Sequence, residues 1–250
     1  MFAKYMKIWK QIAFFVSAFL IIVLTGIIGQ QKAYTASTPS SFYLSGIIRD
    51  FEDTHPDFER AVGDNGFAYG LDPDIVLDTL DSNKKPRYQG SSYSTTNRAN
   101  FTQWFKDVSG VNKSTPYNIE LSDSDGDGVY TYYNASFFPL DGMSGFDEQG
   151  RSHNYHFTYE IHSQFAYKGG ETFEFRGDDD VWVYINGKKV IDLGGVHSEK
   201  MKTVNLDAIA SNIGITPNNT YSFDLFFAER HTSQSNFKIE STIDFIQYAD

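Results

Sequence analysis

The sequence predicts an all-β fold, an antiparallel β-sandwich or barrel with a few short helices. Three observations point there. Apolar and polar residues alternate with period two through one segment after another. Turn-forming Gly, Asn and Asp break these segments roughly every ten residues. Helical patterns are few and short. The 22 Phe and 16 Tyr suit a pleated, half-buried surface and supply the bulk of a core.

Taken in order, the first strand is expected over residues 42–50, one of the segments with period-two alternation. A helix is expected over 97–108. Strands follow over 156–165, 172–176 and 181–185. Asn186-Gly187 then predicts a hairpin turn into a strand over 190–193, because both positions tolerate positive φ. A short helix over 206–212 has Asp207 near its start, and strands over 221–227 and 237–245 complete the series.

Composition removes several functions. The chain of 250 residues contains no Cys, which excludes disulfides, thiol nucleophiles and zinc–thiolate or iron–sulfur centres. A net charge of -11 argues against nucleic acid or acidic lipid as a partner. At the N-terminus, Lys4, Lys7 and Lys10 precede an uncharged apolar run from 12 to 28. This pattern predicts a signal peptide or signal anchor over residues 1–36, with small residues between Ala33 and Ser37 available for cleavage. The rest of the chain is therefore expected outside the cytoplasm, secreted or surface-anchored. Residues 37–41 read as a linker and 42–250 as one domain.

The most informative stretch is Gly177-Asp-Asp-Asp-Val-Trp-Val-Tyr-Ile-Asn-Gly187. Three adjacent carboxylates at the head of an apolar strand repel one another, and a cation that took several of them would relieve this. Calcium, with 6–8 oxygen ligands, suits Asp178, Asp179 and Asp180. Neighbouring strand side chains point to opposite faces, so two of these carboxylates converge on one ion only if the backbone departs from trans geometry. A solvated acidic turn is the plainer reading of the same residues.

Beyond this motif, the chain resembles the fibro-slime domain family, a relative of the fourteen-kilodalton protective-antigen domain. The matching segments run in order: Leu44-Ser-Gly-Ile-Ile-Arg-Asp-Phe51, Asn100-Phe-Thr-Gln-Trp-Phe-Lys-Asp-Val108, Phe137-Phe-Pro-Leu-Asp141 and His153-Asn-Tyr-His-Phe-Thr158. Phe173-Glu-Phe-Arg-Gly-Asp-Asp-Asp-Val-Trp-Val183, Asp192-Leu-Gly-Gly-Val-His197 and Phe226-Phe-Ala-Glu-Arg-His-Thr232 follow. The resemblance implies a β-sandwich of protective-antigen type. It further implies a cis-linked Asp pair that holds Ca²⁺, through which two hydroxyls of a terminal sugar are bound. The pair falls on Asp178-Asp179, with Asp179-Asp180 the competing register. The resemblance also brings the segment after the Asp motif close to it, which makes His197 a candidate for the sugar pocket; Asn236, beyond the 233–235 loop, is a further ligand candidate.

Other constellations carry less. Asp123-Ser-Asp-Gly-Asp-Gly128 has the spacing of a calcium loop through Asp123, Asp125 and Asp127, but position twelve is Asn134 rather than Glu and no flanking helices are predicted. An acidic hairpin tip accounts for it equally well. His156, Thr158, Glu160 and His162 share one strand face, read as a polar outer face in preference to a zinc site. Trp104 and Trp182 read as core, and Glu229-Arg230 as a buried ion pair. No nucleophile elbow, zinc-protease helix or phosphate loop is present, so no enzymatic activity is expected. The expected function is Ca²⁺-dependent carbohydrate binding of lectin or adhesin type. The alternative is a structural module of an extracellular matrix or slime layer with a purely structural Ca²⁺.

Overall fold

The computed structural model describes residues 39–247, so the expected signal segment over 1–36 lies outside the described residues. Among those residues no helix is long and apolar enough to cross a membrane. The strands are β1 (Ser41–Phe51), β2 (Asn112–Ser122), β3 (Tyr130–Asn134), β4 (Phe157–Tyr167), β5 (Thr172–Asp178), β6 (Asp180–Ile185), β7 (Lys188–Leu193), β8 (Lys200–Asn205), β9 (Asn219–Glu229) and β10 (Asn236–Ser241). Two helices, α1 (Arg98–Phe101) and α2 (Leu206–Ile213), accompany them. The strands bond in the order β7-β6-β9-β4-β1-β2-β3-β10-β5-β8, and the pairings are antiparallel. β5 and β9 lie far apart in this order, yet Phe173 and Phe223 meet at 5.0 Å and Phe175 and Phe227 at 6.3 Å. The sheet therefore folds back so that its halves face each other over one aromatic core, the sandwich that the alternation predicts.

β6 shows how the sequence builds two layers at once. Val181, Val183 and Ile185 point into the core between the halves. Trp182 and Tyr184 point the other way, into a second cluster with Phe58, Ile75, Trp104 and Phe226. That cluster is roofed by residues 52–111, the long connection from β1 to β2. Every residue of β6 is consequently buried. Asn186 and Gly187 adopt the positive φ values of 51° and 69° that the hairpin into β7 requires.

Several elements differ from expectation for visible reasons. The helix expected over 97–108 is limited to the single turn of α1. Asn112 replaces its continuation: its Nδ2 donates to the carbonyls of Gln103 and Lys106, and its Oδ1 accepts from the Val108 N–H. β10 stops at Ser241, although Phe245 returns to bridge Phe165. β2, β3 and β8 escaped the pattern because few of their residues are buried. Of the expected linker over 37–41, residues 37 and 38 lie outside the described residues, and Ser41 already pairs with Ser122 in β1. α2 starts with Asn205, whose side chain accepts from the Ala208 N–H, and closes on Gly214 at φ 71°.

Most of the polar face that runs from His156 into β4 is an inner surface, contrary to the sequence reading; His162 at its far end is exposed. His156, Thr158 and Glu160 are buried beneath the 52–111 roof. Glu160 is held by Arg49 at 2.9 Å and Lys85 at 2.5 Å, and His162 pairs with Asp224 at 2.7 Å. Burial alone would raise the Glu160 pKa; hydrogen bonds from His162 and Lys85 and the Arg49 charge outweigh it and hold the group at about 2. A depressed folded pKa stabilises above the unfolded value of 4.5 and is lost as pH falls toward 2. Glu160 should thus contribute about 3 kcal/mol at neutral pH, decaying between those limits. Denaturant unfolding followed from pH 6 to pH 3 should show this slope, and Glu160→Gln should flatten it.

Candidate functional site

Three chain crossings meet at one end of the sandwich. Residues 178–180 carry the chain from β5 to β6, from one half of the sheet to the other. Residues 230–235 join β9, beside β6, to β10, beside β5. Residues 194–199 join β7 to β8 across the same gap. The Asp motif therefore sits where two other connections pass alongside, and each of them supplies donors to it.

The peptide bond between Asp178 and Asp179 is cis. This places the departure from trans geometry at the first of the two registers considered. Asp178 accepts from the backbone N–H of Asn236 at 2.6 Å and from its side-chain amide at 3.0 Å. Asp179 accepts from the N–H groups of His197 at 3.1 Å and Arg230 at 3.2 Å. Both carboxylates line a pocket of about 170 Å³ with Tyr69, His197, His231 and the 232–234 segment.

Asp180, grouped with the metal candidates by sequence, belongs to a different structure. It is fully buried, and its oxygens meet Arg230 Nε at 2.6 Å, Arg230 Nη2 at 3.1 Å and the Gly195 N–H at 2.6 Å. Pairing with a guanidinium removes it from the cation candidates. The expected Glu229–Arg230 pair is corrected by the same contacts: the partner of Arg230 is Asp180, because successive residues of an extended chain face opposite sides where β9 ends at Glu229. Arg230 also donates to the carbonyls of Ser94 at 2.7 Å and Asp57 at 3.2 Å and lies 4.8 Å over the Trp104 ring. It thereby pins the 52–111 roof to the site.

Glu229 is left behind the pocket without a counter-ion. It is fully buried, and neither carboxylate oxygen completes a hydrogen bond in good geometry. Burial, reinforced by the Asp179 and Asp178 charges, pushes its pKa well above the usual carboxylate range, against the lowering influence of Ser235 and the His231 backbone N–H. Burial likewise raises Asp179, against the lowering influence of Arg230, and raises Asp178. The site thus concentrates three buried carboxylates whose ionisation burial opposes, while the one guanidinium packed among them is paired with Asp180.

Glycine geometry keeps the crossings close. Gly195 has φ 111°, and a Cβ there would strike the carbonyl of Gly70; at Gly177 it would strike the carbonyl of Asn236.

With this geometry in place, comparison with known proteins identifies the fold. The PA14 domain family matches residues 141–246. This chain carries a PA14 domain. Over 223 residues it is 38% identical to "Protein psiC" of Dictyostelium discoideum, aligning 82% of this chain with 42% of that protein. Protein psiD of the same organism is 36% identical over 238 residues, covering 90% of this chain and 46% of that protein. The chain thus spans less than half the length of these relatives. A solved "PA14 sugar-binding domain from RTX adhesin" is 9% identical, aligning 81% of this chain with 95% of that one at a TM-score of 0.34.

Two other sequence candidates can be placed, His197 within the PA14 match and the Asp123–Asp127 loop ahead of it. His197 borders the pocket, but its ring nitrogens face the carbonyls of Leu193 and Ser198, so its backbone N–H is what serves the Asp pair. Asp123, Asp125 and Asp127 form the tip between β2 and β3, with ligand atoms within 4.8 Å of one another. Asp123 is committed to its own turn there, accepting from the N–H groups of Gly126, Asp127 and Gly128. Sequence reasoning missed Tyr69, whose hydroxyl meets His231 at 3.0 Å across the pocket mouth. Its segment lies over 100 residues from the Asp motif and carries no pattern of its own.

Proposed function

We propose that this domain binds Ca²⁺ at Asp178 and Asp179 and holds carbohydrate there, acting as an exported, non-catalytic recognition module. The observation that supports this reading is the carboxylate cluster: two cis-linked carboxylates on a pocket wall, with buried Glu229 behind them and no cation among the described residues paired with any of the three. The donor set fits a hard cation, since the pocket offers carboxylate, hydroxyl, amide and backbone oxygen, with no thiol. Asp178 and Asp179 would hold the ion, with the Asn236 side chain beside Asp178. Bound Ca²⁺ supplies coordination of paired sugar hydroxyls. The chain's own residues do the rest. Asn236, His197 and Arg230 orient the two carboxylates through backbone or amide N–H groups. Ser198, Thr232, Ser233 and Gln234 present polar side chains suited to a polyol, and half-exposed Tyr69 offers a ring edge at the rim. The acidic tip at Asp123, Asp125 and Asp127 is a secondary cation candidate.

Calorimetric titration with Ca²⁺, followed by a glycan array with and without chelator, tests this reading. Uptake in the range of about 10⁻⁴–10⁻³ M, typical of extracellular modules, with glycan signals that chelator removes, is the expected result. Calcium uptake with an array empty under both conditions would transfer the domain to the structural-matrix reading. Absence of calcium uptake would overturn the proposal.

A further inference from the structure

We infer that a second cleft, in the roof formed by residues 52–111, binds an anionic sugar residue bearing a carboxylate or a sulfate ester. The cleft has a volume of about 290 Å³ and is lined by Lys85, Arg87, Arg98 and Lys106, with Asp81 the single acid in its wall. In a chain of 21 Lys and Arg against 32 Asp and Glu, this reverses the prevailing sign.

The neighbouring acids are already engaged. Asp81 Oδ1 accepts from the N–H groups of Asn83 and Lys85 and caps its own turn. Asp107, next to Lys106, is taken by Arg49 at 2.8 Å, and Glu160 is shared between Arg49 and Lys85. Three cations are left without a carboxylate. Arg87 meets the Thr79 hydroxyl at 3.0 Å. Arg98 donates to the Tyr88 carbonyl at 2.9 Å and is held 5.5 Å over the Tyr88 ring. The Lys106 ammonium has no partner among the described residues.

Guanidinium forks match the two oxygens of a carboxylate or sulfate, and an ammonium adds charge without fixed direction. Leu77 and Phe105 lie in the same wall, so an apolar ring face has somewhere to rest. A net charge of -11 repels a dense polyanion at long range. The ligand that fits is therefore a largely neutral glycan with isolated charged sugars. The choice of sugar as carrier rests on the carbohydrate reading above; the recognition of the oxyanion does not, because this cleft shares no lining residue with the Asp178–Asp179 pocket.

The full chain would be titrated calorimetrically at low ionic strength with digalacturonate, a galactose sulfate, neutral digalactose and inorganic sulfate, each with and without Ca²⁺. Either charged sugar should bind at least tenfold more tightly than the neutral disaccharide and inorganic sulfate. This binding should persist in the presence of chelator, and Arg87→Gln with Lys106→Gln should weaken it at least tenfold. Arg98 stays intact in that variant because it also supports the Tyr88 backbone. Equal binding of inorganic sulfate would overturn the sugar and leave a free-anion site. Equal binding of the neutral disaccharide, indifference to the double substitution, loss on calcium removal, or no binding of any probe would each overturn the inference. Failure of the calcium titration leaves these outcomes readable, since each is also measured without the ion.

Discussion

Replacing Arg230 with methionine should destabilise the domain by about 3–5 kcal/mol, the cost of breaking a buried ion pair on one side. The expectation is larger than for a surface pair because both partners are fully buried and Asp180 would keep only the Gly195 N–H. The carbonyls of Ser94 and Asp57 would lose their donor as well. Those carbonyls belong to the roof, so the damage should be uneven: residues 52–111 should become protease-sensitive at denaturant concentrations where the sandwich still holds. Arg230→Lys keeps the charge but not the fork, and should fall between the variant and the native chain. The double variant Arg230→Met/Asp180→Leu removes both buried charges and should recover part of the loss. Denaturant midpoints for the four proteins, with limited proteolysis of each, check this. Wild-type stability in Arg230→Met would show that Asp180 does not depend on the pair.

The sandwich was legible because its inner strands are written in period two. β4, β6 and β9 place Phe, Tyr, Val and Ile at alternate positions, and these residues do form the core. The hairpin was legible because Asn186-Gly187 is a local signal. The second apolar layer was not, although its residues were in view. Trp104 and Trp182 read as core, but nothing local says that they belong to a layer apart from Val181, Val183 and Ile185, because only the roof makes that side of β6 an interior. The same omission turned the Glu160 face into an expected outer surface. At the candidate site the three Asp were conspicuous, yet their division of labour was not. Whether an Asp meets Arg230 or a pocket depends on which half of the sheet it faces, and that is set by the crossing from β5 to β6, a tertiary feature without a sequence period. Glu229 was misassigned for a related reason: adjacency to Arg230 in sequence suggests a pair, while a strand sends neighbours to opposite faces.

Asp179→Asn should reverse the usual link between a mutation and stability. Burial raises the Asp179 pKa in the folded domain. A raised folded pKa means that ionisation at neutral pH opposes folding, and that this penalty grows as pH rises above the unfolded value of 3.8. A neutral isostere removes the penalty while an amide oxygen still accepts one N–H. Calcium-free Asp179→Asn should therefore melt above calcium-free wild type at pH 7, and the difference should shrink toward pH 4. Added calcium should do the opposite. At about 10 mM, a site with Kd near 10⁻⁴ M would stabilise wild type by about 2.7 kcal/mol, and Asp179→Asn should gain almost none of it. Glu229→Gln extends the test behind the pocket wall: it should also raise the calcium-free midpoint and weaken calcium uptake, since it removes one of the three charges that oppose one another. Thermal melts of the three proteins with calcium and with chelator give a crossed pattern if the carboxylates are there to meet a cation. Destabilisation of both variants, with melts indifferent to calcium, would instead make the Asp pair a hydrogen-bonded brace between the crossings.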